Sequence, residues 1–379
     1  MTVEPMTSAT VPDYGEGTLS DLANSLLASV GVGDAANPLG LAPTRRACLL
    51  IVDGLGWELL RAHQAAAPFL SELTTSGRAL TAGFPATTVT SLSSLGTGLP
   101  PGRHGMLGYQ VAVPGEDRLL NGLRWDQRVD PVSWQPAPTI YQRAAAADIA
   151  AYRVAARGLE KTGFSLAAMR GASYRPADSL GALVAQASWA LADSDRALVT
   201  VYHADLDGTG HVFGSLSEAW SYQLAHVDKL AEQLASSLPS GTALYVTADH
   251  GMVDAGADDR VDVDVVPGLR DGVALLGGEP RARHVYAVPG AAPDVLATWQ
   301  GVLGARAWVA SRDEAIEAGW FGPVDERFVP RIGDVVAAPA GSWALVATKA
   351  EPLESSLAGM HGSLTPSDQF VPLLSVTSF

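Results

Sequence analysis

Three apolar runs in this chain each lead into acidic residues. Ile51-Val52 runs into Asp53, Val201-Tyr202 leads through His203-Ala204 to Asp205-Leu206-Asp207, and Tyr245-Val246 leads through Thr247-Ala248 to Asp249-His250. One acidic residue after a strand is usually a helix cap or a turn former. Three of them, with histidines at short range, would crowd carboxylates and imidazoles at one rim, where repulsion is costly unless cations bind. Asp207-Gly208-Thr209-Gly210-His211 brings a carboxylate and an imidazole together across what reads as a glycine-bent loop, and Met360-His361-Gly362 adds a further histidine. Aspartate and histidine without cysteine suit catalytic zinc, with manganese the alternative, because carboxylates alone favour magnesium or calcium. Two such ions ~4 Å apart would clamp the attacking and leaving oxygens of an in-line displacement at phosphorus.

The elements that must position these residues follow from periodicity. Apolar runs of strand length at 47–52, 197–202, 243–246 and 344–347 are separated by helical patterns, including 19–30 and 215–238. In the latter, Trp220, Leu224, Val227, Ala231, Leu234 and Leu238 recur at steps of four and three, and Ser215 with Glu218 reads as a capping box. Strands apolar on both faces and alternating with helices predict an α/β fold, a mostly parallel central sheet covered by helices on both faces. The carboxyl ends of such strands line the ligand crevice, and the three aspartates fall there. Residues 255–340 are rich in Gly and Pro, with short patterns at 285–288, 293–302 and 334–338. They read as a smaller inserted α+β subdomain, which leaves 1–254 and 341–379 as the catalytic domain.

The 379 residues are 47% apolar and 17% charged, the balance of a soluble enzyme with a substantial core, and only the first dozen read as disordered. A net charge of −15 argues against a polymeric nucleic acid partner but not against a small phosphorylated substrate, because bound metal ions reverse the local sign. The single cysteine, Cys48, lies within the run 47–52 and reads as a buried hydrophobe; no disulfide can form within one chain. Met1-Thr2-Val3-Glu4-Pro5 carries no secretory pattern, and no apolar stretch reaches the ~18 residues of a membrane span. The expectation is a soluble, cytoplasmic protein without a membrane partner.

Taken in order, the motifs resemble those of the nucleotide pyrophosphatase/phosphodiesterase family of the alkaline phosphatase superfamily. They read Val52-Asp53-Gly54, Thr88 through Thr97-Gly98-Leu99 to His104-Gly105, Asp207 to His211, Asp249-His250-Gly251-Met252 and Met360-His361-Gly362. The resemblance covers residues ~47 to 370 and implies an alkaline phosphatase-like fold. It implies a nucleophile at Thr88, whose distance to Thr97-Gly98 matches the family's spacing, although Thr87, Thr90 and Ser91 stand close. It also assigns Asp53, Thr88, Asp249 and His250 to one metal ion, and Asp207, His211 and His361 to the other. The family often places an Asn about twenty residues after the nucleophile to hold a phosphoryl oxygen; Tyr109 stands there, a candidate substrate contact. The chemistry is consistent with the implied roles, since a threonine hydroxyl needs a metal, helped by the positive end of a helix, to ionise.

Other candidates have plainer readings. His104 reads as part of a turn, and His63 and His226 as helix residues. His203 reads equally as a donor to one of the aspartates and as a core histidine; Asp205 reads as a turn former. Trp57 and Tyr109 could stack on a leaving group or simply pack. Arg281-Ala282-Arg283-His284 either reaches toward the cleft or ends a solvated strand. The expected function is a phosphodiesterase or nucleotide pyrophosphatase acting on a small phosphorylated substrate. The alternatives are a phosphomonoesterase or phosphonate hydrolase of the same superfamily, and a catalytically inactive metal-binding protein.

Overall fold

The computed structural model describes residues 8–377. Residues 47–52 form a strand because six consecutive apolar side chains need cover on both faces, and Arg46–Val52 is buried at every position after Arg46. It is the middle strand of a seven-stranded sheet whose order is Arg78–Thr81, Phe370–Thr377, Thr242–Thr247, Arg46–Val52, Ala197–His203, Ala150–Ala155, Ser173–Pro176. Arg46–Val52 pairs in parallel with both neighbours. The exception to parallel order is Phe370–Thr377, which runs antiparallel to the strands beside it. Leu19–Ser29, Thr88–Thr97 and Ile140–Ala146 pack together as one helical layer, and Pro68–Leu73, Leu180–Ala192 and Glu218–Ser237 as another. The expected α/β fold with a helix-covered, mostly parallel sheet is the observed one.

Several elements differ from their sequence reading. The helix expected over 215–238 begins at Glu218, and its cap is Ser217, whose hydroxyl accepts from Trp220 N at 3.1 Å. Ser215 is occupied elsewhere: its amide and hydroxyl both donate to Asp254. The run at 344–347 forms Ala344–Val346, which pairs with Arg260–Asp262 and stays outside the central sheet. Of the first dozen residues, 1–7 lie outside the described part, while Thr10 N is held by Leu364 O at 2.8 Å.

A second sheet, entirely antiparallel, has the order Val273–Glu279, Ala282–Ala287, Val335–Pro339, Ala307–Ser311. Helix Ala292–Leu303 covers it, and its own apolar cluster includes Trp299, Leu303, Val285 and Val335. The sheet is pinned to the segment just before Phe370–Thr377 by Arg281, whose Nε and Nη2 donate to the Asp368 carboxylate at 3.0 and 2.7 Å, with both side chains 0% exposed. Removing one member of a fully buried pair strands the other charge. Arg281→Ala is therefore expected to destabilise the fold by about 3–5 kcal/mol, measured as a lower denaturation midpoint at unchanged m-value.

Candidate active site

Strand register sets the site. Ile51 lies opposite Thr247 and Val52 opposite His203, so Asp53, Asp249 and the segment carrying Asp207 emerge at one edge of the sheet. The Asp207 segment is not a loop: Asp205–Phe213 is a helix, and Asp207 and His211 share one face at i and i+4, with Nε2 to Oδ2 at 3.2 Å. Thr88 opens the ten-residue helix Thr88–Thr97, placing its hydroxyl over the same edge.

These residues converge on a small volume. Thr88 Oγ1 lies 3.2 Å from His250 Nε2, which lies 3.3 Å from Asp53 Oδ1 and 3.5 Å from Asp249 Oδ2. His361 Nε2 lies 3.9 Å from Asp207 Oδ1, and the His250 and His361 rings stack at 3.6 Å. All seven residues expected at the centre are thus brought together. Potential ligand atoms of Asp207, His211 and His361 lie within 4.8 Å of one another, as do those of Asp53, Asp207 and His250.

The hydrogen bonds fix which atoms face inward. Each histidine turns Nδ1 to a backbone carbonyl: His211 to Gly359 O, His250 to Gly251 O and His361 to Ala86 O. That arrangement selects the tautomer that leaves Nε2 facing the cluster. The carboxylates follow the same plan. Asp53 Oδ2 accepts from Tyr202 Oη, and Asp249 Oδ1 accepts from Gly54 N at 3.2 Å and His250 N at 3.1 Å. Asp53 Oδ1, Asp207 Oδ1 and Asp249 Oδ2 are buried with no hydrogen-bond partner among the described residues. Buried carboxylate oxygens left bare are expensive. Three of them beside three inward-facing imidazole nitrogens make an N/O donor set suited to divalent cations.

The charges are strongly coupled. Burial raises the Asp249 carboxyl well above its usual range, and the neighbouring Asp53 adds to the effect. Burial opposes charge on His250, but Asp249 and Asp53 outweigh it and push its pKa well up. Burial also opposes charge on His211, yet Asp207 raises it to about 9. Burial and the neighbouring His250 depress His361.

Two cavities meet at this centre. One, of about 290 Å³, is lined by Thr88, Asp207, His211 and His361, then by Tyr109, Leu123, Arg124, Glu279 and Glu354. The other, of about 230 Å³, shares Thr88, Asp207 and Leu123 and adds Asp53, Leu92, Phe164 and Tyr202. Tyr109 therefore reaches the cleft, where its hydroxyl donates to Glu354 at 3.4 Å. Sequence reasoning missed Glu279, Leu123, Arg124 and Tyr202. Only Tyr202 carried a signal, being the last apolar residue of a strand beside Asp53.

The plainer candidates resolve individually. His104 Nδ1 accepts from Met106 N, so Nε2 carries the proton and donates to Ser94 Oγ; burial pushes its pKa down to about 3, as befits a neutral structural residue. His63 packs on Trp220, His226 is exposed, and His203 contacts Gln223. Asp205 sits exposed in the first turn of its helix, and Trp57 packs against the core. Arg281, Arg283 and His284 do not reach over the cleft. Arg281 is taken by Asp368, Arg283 faces Glu351 at 2.7 Å and donates to Leu345 O, and His284 bridges Leu107 O and Gly333 N.

A mostly parallel, helix-covered sheet with carboxylates and imidazoles gathered at its carboxyl edge is the architecture of the alkaline phosphatase superfamily. The chain belongs to the type I phosphodiesterase / nucleotide pyrophosphatase family, whose model matches residues 47–364. Among solved structures, murine ectonucleotide pyrophosphatase/phosphodiesterase 5 is similar at 19% identity and a TM-score of 0.68, over 86% of this chain and 87% of that one. An inactive variant of the same murine protein in complex with AMP aligns at 18% identity and a TM-score of 0.69, over 87% of each chain. Phosphonoacetate hydrolase from Sinorhizobium meliloti 1021, in complex with phosphonoformate, aligns at 20% identity and a TM-score of 0.64, over 89% of this chain and 91% of that one. No curated protein sequence matches significantly. Among the described residues, no helix is long and apolar enough to cross a membrane.

Proposed function

We propose that the chain hydrolyses phosphodiesters of small molecules, nucleotides among them, at a centre for two divalent cations and through a phosphothreonine at Thr88. Asp53, Thr88, Asp249 and His250 would hold one cation and Asp207, His211 and His361 the other, with zinc suited to this donor set. When bound, the cations supply Lewis-acid activation of a hydroxyl and neutralise charge on the transferring group. The chain's own part starts with Thr88 Oγ1, which bonds to phosphorus as the first ester bond breaks and an alcohol leaves. Water then cleaves the Oγ1–P bond, and two in-line displacements give net retention. The first-turn N–H groups of the helix that Thr88 opens favour the anionic phosphoryl oxygens.

The observation that carries the diester reading is the pair of cavities flanking Thr88, since a diester brings two substituents that each need room. A monoester brings an extra negative charge on the transferring group, usually met by an added cation. Arg281 and Arg283 are occupied by Asp368 and Glu351. Of the arginines that do line the cavities, Arg153 is buried and donates to Ser165 Oγ, and Arg124 is exposed, where solvent screens its charge. Bis-p-nitrophenyl phosphate is therefore expected to exceed p-nitrophenyl phosphate in kcat/KM by roughly tenfold or more, about 1.4 kcal/mol in barrier. A preference for the monoester in side-by-side kinetics would overturn the diester reading.

One observation favours a second reading. Arg124 lines the larger cavity and forms no ion pair with any described residue, whereas its neighbours Arg118 and Arg128 both pair with Asp126. A free guanidinium there suits a substrate with a second anionic group, such as the carboxylate of phosphonoacetate. Phosphorus–carbon cleavage of phosphonoacetate in the wild type, lost in Arg124→Ala while diester turnover persists, would establish that reading.

A further inference from the structure

The second sheet reaches the cavity that Thr88 lines. Its first two strands, Val273–Glu279 and Ala282–Ala287, are joined by Pro280 and Arg281 alone. The turn is tight: Gly278 has φ +77°, and a Cβ there would lie 1.9 Å from Ala282 O. It is also anchored, by Arg281 on Asp368 and by Leu345 N donating to Pro280 O at 2.7 Å. The anchored tip carries Glu279 into the wall of the larger cavity, with only 10% of its side chain exposed. Gly362, at φ +131°, leaves space for it, since a Cβ there would lie 3.1 Å from Glu279 Oε1.

Glu279 Oε2 accepts a hydrogen bond from Thr87 Oγ1 at 3.2 Å. Thr87 is the N-cap of the helix that Thr88 opens, and its extended backbone (φ −140°, ψ 151°) is what a capping threonine adopts. A threonine so placed ordinarily turns its hydroxyl oxygen to the N–H of the second or third helical residue. Here it makes no such bond. The hydroxyl is drawn to Glu279, and the first-turn amides keep no side-chain partner at the end of the helix where an anion binds best.

We propose that Glu279 is a positioning residue: by holding the Thr87 hydroxyl away from the helix, it keeps the helix N-terminus open for the phosphoryl oxygens of the substrate. The proposal rests on the reading of Thr88 as nucleophile. Without Glu279, Thr87 becomes a competitor that caps the amides the substrate needs.

The consequence is a specific genetic interaction. Glu279→Ala is expected to lower kcat/KM on bis-p-nitrophenyl phosphate by roughly three- to thirtyfold, the range that one N-cap bond is worth. Glu279→Gln, whose amide oxygen still accepts from Thr87, is expected to retain most of the rate. Adding Thr87→Val to Glu279→Ala removes the competitor, and the double variant is expected to recover to the level of Thr87→Val alone, a non-additivity that mere destabilisation does not produce. If Glu279→Ala fails to fold, Glu279→Leu, which fills the space without accepting a hydrogen bond, takes its place in the same comparison. A double variant as impaired as the Glu279 single variant, or worse, overturns the proposal. Thr88→Ala assayed alongside separates the two levels: activity there condemns the nucleophile reading, whereas an unrescued double variant beside a dead Thr88→Ala condemns only the role of Glu279.

Discussion

Thr88→Ala is expected to lose about three or more orders of magnitude in kcat, the scale of loss when a covalent nucleophile is removed. The fold should survive, because the threonine methyl and hydroxyl border cavities rather than packed core. Three other hydroxyls stand within three residues, and the geometry separates them. Thr87 is engaged by Glu279, and Thr90 and Ser91 are both 0% exposed. Thr88 alone among them lines both cavities and contacts His250. Thr90→Ala and Ser91→Ala should therefore keep most of the turnover. The check is kcat on bis-p-nitrophenyl phosphate, together with melting temperature and metal content. A dead Thr90→Ala beside an active Thr88→Ala would move the nucleophile by two residues.

Asp207→Ala is the second expected loss of comparable size. Asp207 has ligand atoms in both donor groups, and its Oδ1 is one of the bare buried oxygens. Removing it takes the one carboxylate from the His211–His361 site and a neighbouring negative charge from beside Asp53 and His250. Elemental analysis should fall from two divalent ions per chain in the wild type to one or none, and kcat should fall with it. The same logic governs chelation. Stripping the ions leaves Asp53, Asp207 and Asp249 facing one another in a buried site, so both activity and melting temperature should drop and return with zinc. A ligand that binds only the folded chain at 100 times its Kd stabilises it by about 2.7 kcal/mol, which a thermal melt detects. Wild-type turnover in the presence of a strong chelator, from protein holding no transition metal, would end the two-cation reading.

Much of this centre was legible in the sequence because parallel sheets collect strand ends at one edge. Asp53, Asp249 and His250 needed only the apolar runs before them to be located. Asp207 and His211 were also found, but on the wrong local structure, because Gly208 and Gly210 read as a bend. Gly210 has a different cause: a Cβ there would lie 2.3 Å from Met252 Sδ, so packing against the Asp249–Met252 segment requires it. The antiparallel strand Phe370–Thr377 escaped notice because Pro372 interrupts its run, and a proline argues against a central strand. Glu279 could not be found from sequence. Its partner Thr87 is 192 residues away, and nothing local marks a glutamate in a Gly-Glu-Pro turn as destined for a buried site. Leu123 and Arg124 were invisible for the same reason, since their place at the cavity depends on how a short hairpin packs against residues beyond 350.

The central claim is a covalent bond between Thr88 and phosphorus. The measurement that tests it most directly is mass spectrometry of enzyme quenched in acid during turnover of bis-p-nitrophenyl phosphate, followed by peptide mapping. The chain should be heavier by one nitrophenyl phosphoryl group, with the adduct on Thr88 and absent from Thr88→Ala. An adduct on another residue, or retention of near-normal turnover in Thr88→Ala, would contradict it.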